Sequence, residues 1–258
     1  MLNKNIFIQG LKNIVGSKYV LTAKWSKETY SRGWRYGEGE ALAVIKPKNL
    51  IDLWNVLKVC VKDDVIIIMQ GANTGLTGGS TPFGNDYDRA VVIINTMRIN
   101  DIHVINNGRQ IIGLSGSTLY DLENKIEPYG RDPHSVIGST SIGASIIGGV
   151  CNNSGGSLVQ RGPAYTELAL YAKVNENGKL KLINELEINL GSEPEEILNN
   201  LQNLNYKQSD IVNSEKLASD NKYCEIVREI DSKTPARFNA DQRLMHNVSG
   251  SAGKIVVF

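Results

Sequence analysis

Apolar residues recur along this chain of 258 residues in runs and at helical spacings, and the two patterns lay out its elements. Residues 5–15 carry Ile6, Ile8, Leu11, Ile14 and Val15, a spacing that predicts a short opening helix. Residues 30–40 are aromatic, glycine-bearing and mixed in charge, and predict irregular backbone. Ala41-Leu42-Ala43-Val44-Ile45 then predicts a strand ended by Lys46-Pro47. Asn49 stands where a helix cap belongs. Leu50, Leu53, Trp54, Leu57 and Val61 follow on one helical face, with Asp52 early and Lys58 and Lys62 late, as the helix dipole favours. Val65-Ile66-Ile67-Ile68-Met69 predicts the next strand. This strand–helix–strand order is a βαβ unit.

Further along, residues 89–94 predict a third apolar strand. Residues 101–104 and 110–114 predict a strand pair joined by Asn106-Asn107-Gly108, a turn sequence. Residues 118–126 predict an amphipathic helix through Leu119, Leu122 and Ile126, closed by Pro128 and Gly130. Residues 168–174 and 179–183 flank Asn175-Glu176-Asn177-Gly178, which predicts a β-hairpin. Ser192-Glu193-Pro194-Glu195 predicts a capping box ahead of Ile197 and Leu198. Residues 199–232 are polar and predict solvated helices and loops. The last residues, Ile255-Val256-Val257-Phe258, read as a strand interior, so a longer parent protein is expected.

Composition narrows the function classes. Hydrophobic residues make up 41% and charged residues 21%, an ordinary globular balance. Net charge is +1, from 28 basic and 27 acidic residues, so nothing marks a nucleic-acid binder, which normally shows a basic excess or patch. Three scattered cysteines, Cys60, Cys151 and Cys224, read as reduced thiols. With His103, His134 and His246 as the only histidines, no His/Cys metal cluster is visible. The N-terminus lacks a long apolar signal region, and no run reaches the ~18 apolar residues of a membrane span.

Two tracts of small residues carry the candidate chemistry. The first, Gln70-Gly71-Ala72-Asn73-Thr74-Gly75-Leu76-Thr77-Gly78-Gly79-Ser80-Thr81-Pro82, leaves the carboxyl end of the second βαβ strand, where open α/β folds place ligands. Glycine lets backbone approach a ligand closely, and successive exposed N–H groups form a concavity suited to phosphate. The hydroxyls of Thr74, Thr77 and Ser80 can add donors. The loop alone leaves two readings open, a phosphate cradle and a plain surface turn. The second tract, residues 138–157, is a poor helix former by composition and suits close packing against something flat. Two such tracts favour a large cofactor over coincidental turns.

The first loop is neither a G-x-G-x-x-G dinucleotide fingerprint nor a Walker loop. His134 is conceivable as a general base, although a histidine in a polar loop is more often structural. Cys151 reads as an inert buried thiol. Arg131 and Arg161 flank the second tract and could meet anionic groups, with surface arginine the default reading. No catalytic triad or carboxylate pair assembles from these spacings.

The stretch from Gly71 to Pro82 resembles the pyrophosphate loop of FAD-binding domains of the vanillyl-alcohol oxidase/p-cresol methylhydroxylase class. Pro133-His134-Ser135-Val136-Ile137-Gly138-Ser139, the run from Ile142 through Ser145, Gly148-Gly149 and Gly155-Gly156 to Tyr165, Ala41-Leu42-Ala43-Val44, Asn85-Asp86-Tyr87-Asp88-Arg89, Thr234-Pro235-Ala236-Arg237 and Ser249-Gly250-Ser251-Ala252-Gly253-Lys254 resemble the family of bacterial respiratory, quinone-dependent D-lactate dehydrogenases. The resemblance covers nearly the whole chain. It implies an α+β, two-lobed FAD-binding domain: a βαβ lobe over residues 1–98, and a second lobe over 99–258 built on an antiparallel sheet with flanking helices, with FAD between them.

By motif, Gly71, Ala72, Asn73, Thr74, Gly75, Gly79 and Ser80 would hold the FAD pyrophosphate and ribityl region. Gly138, Ser145 and Gly155 would line the second side, and Val256 would meet the adenine end through its backbone. The first loop has no His or Cys, which implies non-covalent FAD. The resemblance also implies oxidation of D-lactate to pyruvate, electron transfer to a membrane quinone, and peripheral attachment at the cytoplasmic face of the inner membrane. The substrate-covering and membrane-contacting regions, with most residues that recognise lactate, are expected outside this chain. Two rivals are another FAD-dependent 2-hydroxy-acid dehydrogenase, acting on glycolate or 2-hydroxyglutarate, and a non-catalytic flavin-binding module.

Overall fold

The computed structural model describes residues 2–134, 137, 139–156, 159–212, 214–233 and 248–258. The chain opens with helix α1 (Lys4–Val15), capped by Asn3, whose side chain accepts the Ile6 N–H. A short strand β1 (Val20–Leu21) and helix α2 (Lys24–Ser31) follow. The βαβ unit then forms where expected: β2 (Ala43–Ile45), α3 (Leu50–Lys62) and β3 (Ile66–Gln70). Asn49 Oδ1 accepts the Asp52 N–H at 2.6 Å, closing the start of α3. β2 and β3 are not neighbours; β4 (Val91–Asn95) inserts between them, parallel to both, and the sheet order is β1-β2-β4-β3. Every residue of β4 is buried, which is why its sequence is a continuous apolar run rather than an alternating one.

Side-chain alternation divides the two faces of this sheet. Ala43, Ile45, Val92 and Ile94 pack with α1 and α3 through Phe7, Leu11, Leu53 and Leu57. Val44 and Ile93 face the other way, against Tyr30 of α2. Helix α2 was not foreseen: residues 24–31 carry Trp25 and Tyr30 among polar residues and lack an apolar stripe. Helix α3 buries more than one face. Val56 and Cys60 are fully buried beside the expected Leu50, Leu53, Trp54 and Leu57, while Val61 is only half-buried.

The reason is a second layer. The hairpin β5 (Ile102–Ile105) and β6 (Gln110–Gly113) leads into α4 (Leu119–Ile126), capped by Thr118. After α5 (Ile146–Cys151), the expected hairpin appears as β7 (Leu170–Val174) and β8 (Leu180–Asn184). Asn175 Oδ1 accepts the Asn177 and Lys179 N–H groups at its turn. Helix α6 (Pro194–Gln202) and β9 (Val256–Val257) complete a layer in which β9 pairs antiparallel with β7. A four-residue helix α7 (Tyr223–Ile226) lies in the polar segment between them. Leu170, Leu190, Leu198, Leu201 and Phe258 share one core with α3. Three polar contacts lock the join. Trp54 Nε1 and Lys58 Nζ donate to Glu195 Oε1 at 3.0 and 2.8 Å, and the Leu50 N–H donates to Gln202 Oε1 at 2.7 Å.

The expected capping box at Ser192 does not form. Pro194 sets the helix start, so Glu193 is the cap residue and offers no side-chain bond. Glu196 Oε2 instead accepts the Ser192 N–H at 3.0 Å. Among the described residues no helix is long and apolar enough to cross a membrane.

Candidate functional site

The first glycine tract departs from the end of β3, and its base is a buried polar network. Gln70 and Asn95 pair across the last rung of β3 and β4. Asn95 Nδ2 donates to Gln70 Oε1 at 3.2 Å and to the Gly71 carbonyl at 3.0 Å. Gln70 Nε2 donates to the carbonyls of Tyr30 and Ser80, both at 2.8 Å, drawing the two ends of the loop together. Thr96 Oγ1 donates to the Ser115 carbonyl at 2.9 Å, tying the loop base to the segment before α4. Sequence reasoning assigned no role to Gln70, Asn95 or Thr96. The available signal was a polar residue closing each of two neighbouring parallel apolar strands at the same level.

Within the loop, Asn73 and Ser80 hold each other: Ser80 Oγ donates to Asn73 Oδ1 at 2.7 Å, and Asn73 Nδ2 donates to the Arg32 carbonyl at 2.7 Å. Asn73 adopts a left-handed backbone with φ +56°, which Asn tolerates better than most residues. The Ser80 hydroxyl, expected as a ligand donor, is therefore engaged as a loop brace.

The backbone is free for the ligand. None of the N–H groups of residues 71–80 donates a hydrogen bond within the described structure. A Cβ placed on Gly75 or Gly79 would meet no atom within 4 Å. These glycines face open space and are not demanded by the fold. A row of unpaired N–H groups over an uncrowded surface is an anion nest, and it fits a pyrophosphate.

The second tract closes on the first. A Cβ on Gly71 would lie 2.5 Å from Ser145 Oγ, so the two tracts are in direct contact. Ser145 is buried and caps α5, its Oγ accepting the Gly148 N–H at 3.2 Å. The Ile146 and Leu119 N–H groups donate to the Ser117 and Ala144 carbonyls, which binds this tract to the start of α4. A Cβ on Gly149 would rest 3.5 Å from the Ala164 Cβ, an ordinary van der Waals contact. At the far end of α5, the Gly250 and Ala252 N–H groups donate to the Val150 and Cys151 carbonyls at 3.0 and 2.9 Å. This strap runs on to β9, where Val256 lies opposite Ala172 of β7. Gly155 is half-buried after the tract. No described hydrogen bond joins Gly155 or Val256 to the first loop. Gly138 lies outside the described residues, as do positions 135, 136, 157, 158 and 234–237 of the motifs above.

The other candidates take structural places. His134 Nε2 is 2.8 Å from the Arg161 carbonyl, while Arg161 Nη1 donates to the Pro133 carbonyl at 3.1 Å. This reciprocal clasp borders a cavity of about 1650 Å³ between β5–β6, α4 and β7, with Arg131 also on its wall. None of residues 70–82 lines that cavity, whereas Ile146, Ile147 and Gly149 of the second tract do. Burial pushes the Cys151 thiol up, in keeping with an unreactive role.

Comparison with known proteins gives the family. Residues 41–182 match the family described as FAD binding domain. Two curated relatives are the quinone-dependent D-lactate dehydrogenases of Haemophilus influenzae, 59% identical over 97% of this chain, and of Escherichia coli, 54% identical over 98%. The chain spans 44% of the length of each. Among solved structures, p-cresol methylhydroxylase with substrate bound superposes with TM-score 0.55 at 16% identity, over 70% of this chain and 36% of that one. That likeness supports the α+β fold of this flavoenzyme class. The chain belongs to the FAD binding domain family, and FAD is the cofactor whose pyrophosphate the nest fits.

Proposed function

We propose that this chain, as a member of the FAD binding domain family, is the cofactor-holding part of an enzyme that oxidises D-lactate to pyruvate and delivers the electrons to a membrane quinone at the cytoplasmic face of the inner membrane. The observation that carries this reading is the anion nest of residues 71–80 braced against Ser145, in a chain 59% identical over 97% of its length to a protein named for that reaction. FAD, when bound, supplies the hydride acceptor and the electron relay.

The protein's part is binding and orientation. Backbone N–H groups from Gly71 to Gly75, with those of Gly79 and Ser80, neutralise the pyrophosphate. Asn73 and Ser80 hold the loop in shape from within, and Gln70 with Asn95 fixes its base. Ser145 sets the height of the second tract, which with Gly138 and Gly155 lines the other side, and Val256 meets the adenine end through its backbone. The lobes divide near residue 98: the mixed sheet lies before this point and the antiparallel strands after it. FAD is held without a covalent bond, because residues 70–82 offer neither His nor Cys.

The test is anaerobic titration of the full-length, FAD-loaded protein with D-lactate, L-lactate, glycolate and 2-hydroxyglutarate. Bleaching of the visible flavin band by D-lactate alone is the expected result. Bleaching by glycolate or 2-hydroxyglutarate in its place would reassign the substrate, and bleaching by none would favour a binding module. Acid precipitation should release the flavin into the supernatant.

A further inference from the structure

We propose that the exposed aromatic rim beside the glycine loop, formed by Trp34, Tyr36 and Phe83 with Leu76, receives the quinone ring; this rests on the reading that the electron acceptor is a quinone. Residues 32–39 form a tight turn in which the Gly33 N–H donates to the Gly37 carbonyl at 2.7 Å and Arg32 bridges to Glu38. The turn is tied to the far side of the loop: the Glu40 N–H donates to the Gly84 carbonyl at 2.8 Å, and the Gly84 N–H to the Glu38 carbonyl at 2.9 Å. A Cβ on Gly37 would lie 2.9 Å from the Gly78 Cα, so the rim and the nest share one backbone contact.

On this fixed frame, Trp34 is 61%, Tyr36 57%, Leu76 64% and Phe83 64% exposed. The Tyr36 and Phe83 rings stack with centroids 6.3 Å apart at 26°. Large apolar side chains exposed to water forfeit their burial energy. Tyr36 and Phe83 are in ring contact, Trp34 stands two residues before Tyr36 in the turn, and Leu76 belongs to the loop whose Gly78 lies against Tyr36. Exposed apolar surface of this kind marks binding sites. Four side chains are far fewer than the roughly 20–30 residues per side of a stable protein interface. They suit a small, flat, apolar molecule, and aromatic faces favour stacking with a planar ring. Arg32 and Arg35, both exposed, flank Trp34 along the chain and bring donors suited to quinone carbonyl oxygens. Bound FAD, once reduced, would supply the two electrons and two protons that turn the quinone's two carbonyls into hydroxyls, and would itself return to the oxidised form, while the rim holds the ring. The electrons come from lactate, two for each pyruvate formed.

The test uses the full-length, FAD-loaded protein and its Trp34→Ser/Phe83→Ser variant. The flavin is reduced photochemically, so the result does not depend on D-lactate. Reoxidation by a short-chain benzoquinone should slow about tenfold in the variant, the loss expected for two ring contacts. Reoxidation by ferricyanide, which requires no ring contact, should not change, and neither should FAD content. An azidoquinone photolabel should fall on the peptides holding Trp34 and Phe83 in the wild type and be lost in the variant. Labelling elsewhere, or unchanged quinone reoxidation, overturns the proposal. So does a variant that loses only its binding to anionic-lipid vesicles, which would make the rim a membrane anchor. A flavin that photoreduces but is not bleached by D-lactate would count against the proposed substrate and leave this site open to the same measurements.

Discussion

Replacing Gly71 with alanine probes how the two glycine tracts meet. The new Cβ would lie 2.5 Å from Ser145 Oγ and 3.2 Å from Ser145 Cβ, well inside the ~3.5–4.0 Å of comfortable carbon contacts. The hydroxyl is already engaged. It caps α5 through the Gly148 N–H at 3.2 Å, and a Cβ at Gly148 would lie 2.6 Å from the same oxygen. Gly71→Ala must therefore break the cap, costing about 1 kcal/mol, or force the tracts apart at an overpacking cost of about 1–3 kcal/mol. Ser145→Ala alone loses only the cap, about 1 kcal/mol. The double variant removes the clashing oxygen and keeps only the 3.2 Å approach to the Cβ at position 145, so it should cost less than the sum of the two single variants. The cycle should be less than additive by about 1 kcal/mol or more, measured by urea unfolding. FAD binding, followed by flavin fluorescence, should weaken roughly 5–30-fold in Gly71→Ala, as about 1–2 kcal/mol implies. Additivity within about 0.5 kcal/mol, or wild-type behaviour of Gly71→Ala, would refute the contact between the tracts.

Gly75→Val should behave differently: its Cβ meets nothing within 4 Å, so unfolding stability should hold while flavin retention is lost, and unchanged FAD content would remove Gly75 from the site. Asn95→Ala leaves Gln70 Oε1 and the Gly71 carbonyl short of a donor, and should cost about 1–3 kcal/mol in urea unfolding together with weaker FAD binding; a neutral variant would mean the network does not brace the loop. Burial pushes the Cys60 thiol up to about 12, so it should resist a thiol reagent at pH 8 until the protein unfolds, as read by mass spectrometry of the labelled peptide. The Lys58 hydrogen bond, followed in effect by backbone and Trp54 bonds, holds the Glu195 carboxyl below its ordinary 4.5. Its contribution is present above that pH and lost as pH falls through the lower folded value. The pair is half-exposed, so the effect is small, but Glu195→Gln should flatten the stability curve below pH 4.5; an unaltered acid slope would count against the pairing.

The strands of the first sheet and the β7–β8 hairpin were legible because local rules suffice for them. Buried parallel strands read as unbroken apolar runs, and Asn175-Glu176-Asn177-Gly178 supplies its own turn bonds. Failures occurred where a partner distant in sequence decides the matter. Glu195 looked like a capping-box residue from its neighbours, yet it reaches Trp54 and Lys58 across the join of the layers. Cys60 and Val56 lay off the predicted face of α3 because a single amphipathic stripe assumes one buried side, whereas α1, α6 and β8 all pack against this helix. The glycine loop shows the limit most plainly. Its glycines share one letter and have at least three causes. Gly71 makes room for Ser145; Gly78 turns left-handed with φ +75° against Tyr36; Gly75 and Gly79 leave space that no protein atom fills. Only the last pair points to a ligand, and only three-dimensional neighbours distinguish it from the others. A cofactor loop is therefore better identified by which of its glycines the fold does not need than by how many it contains.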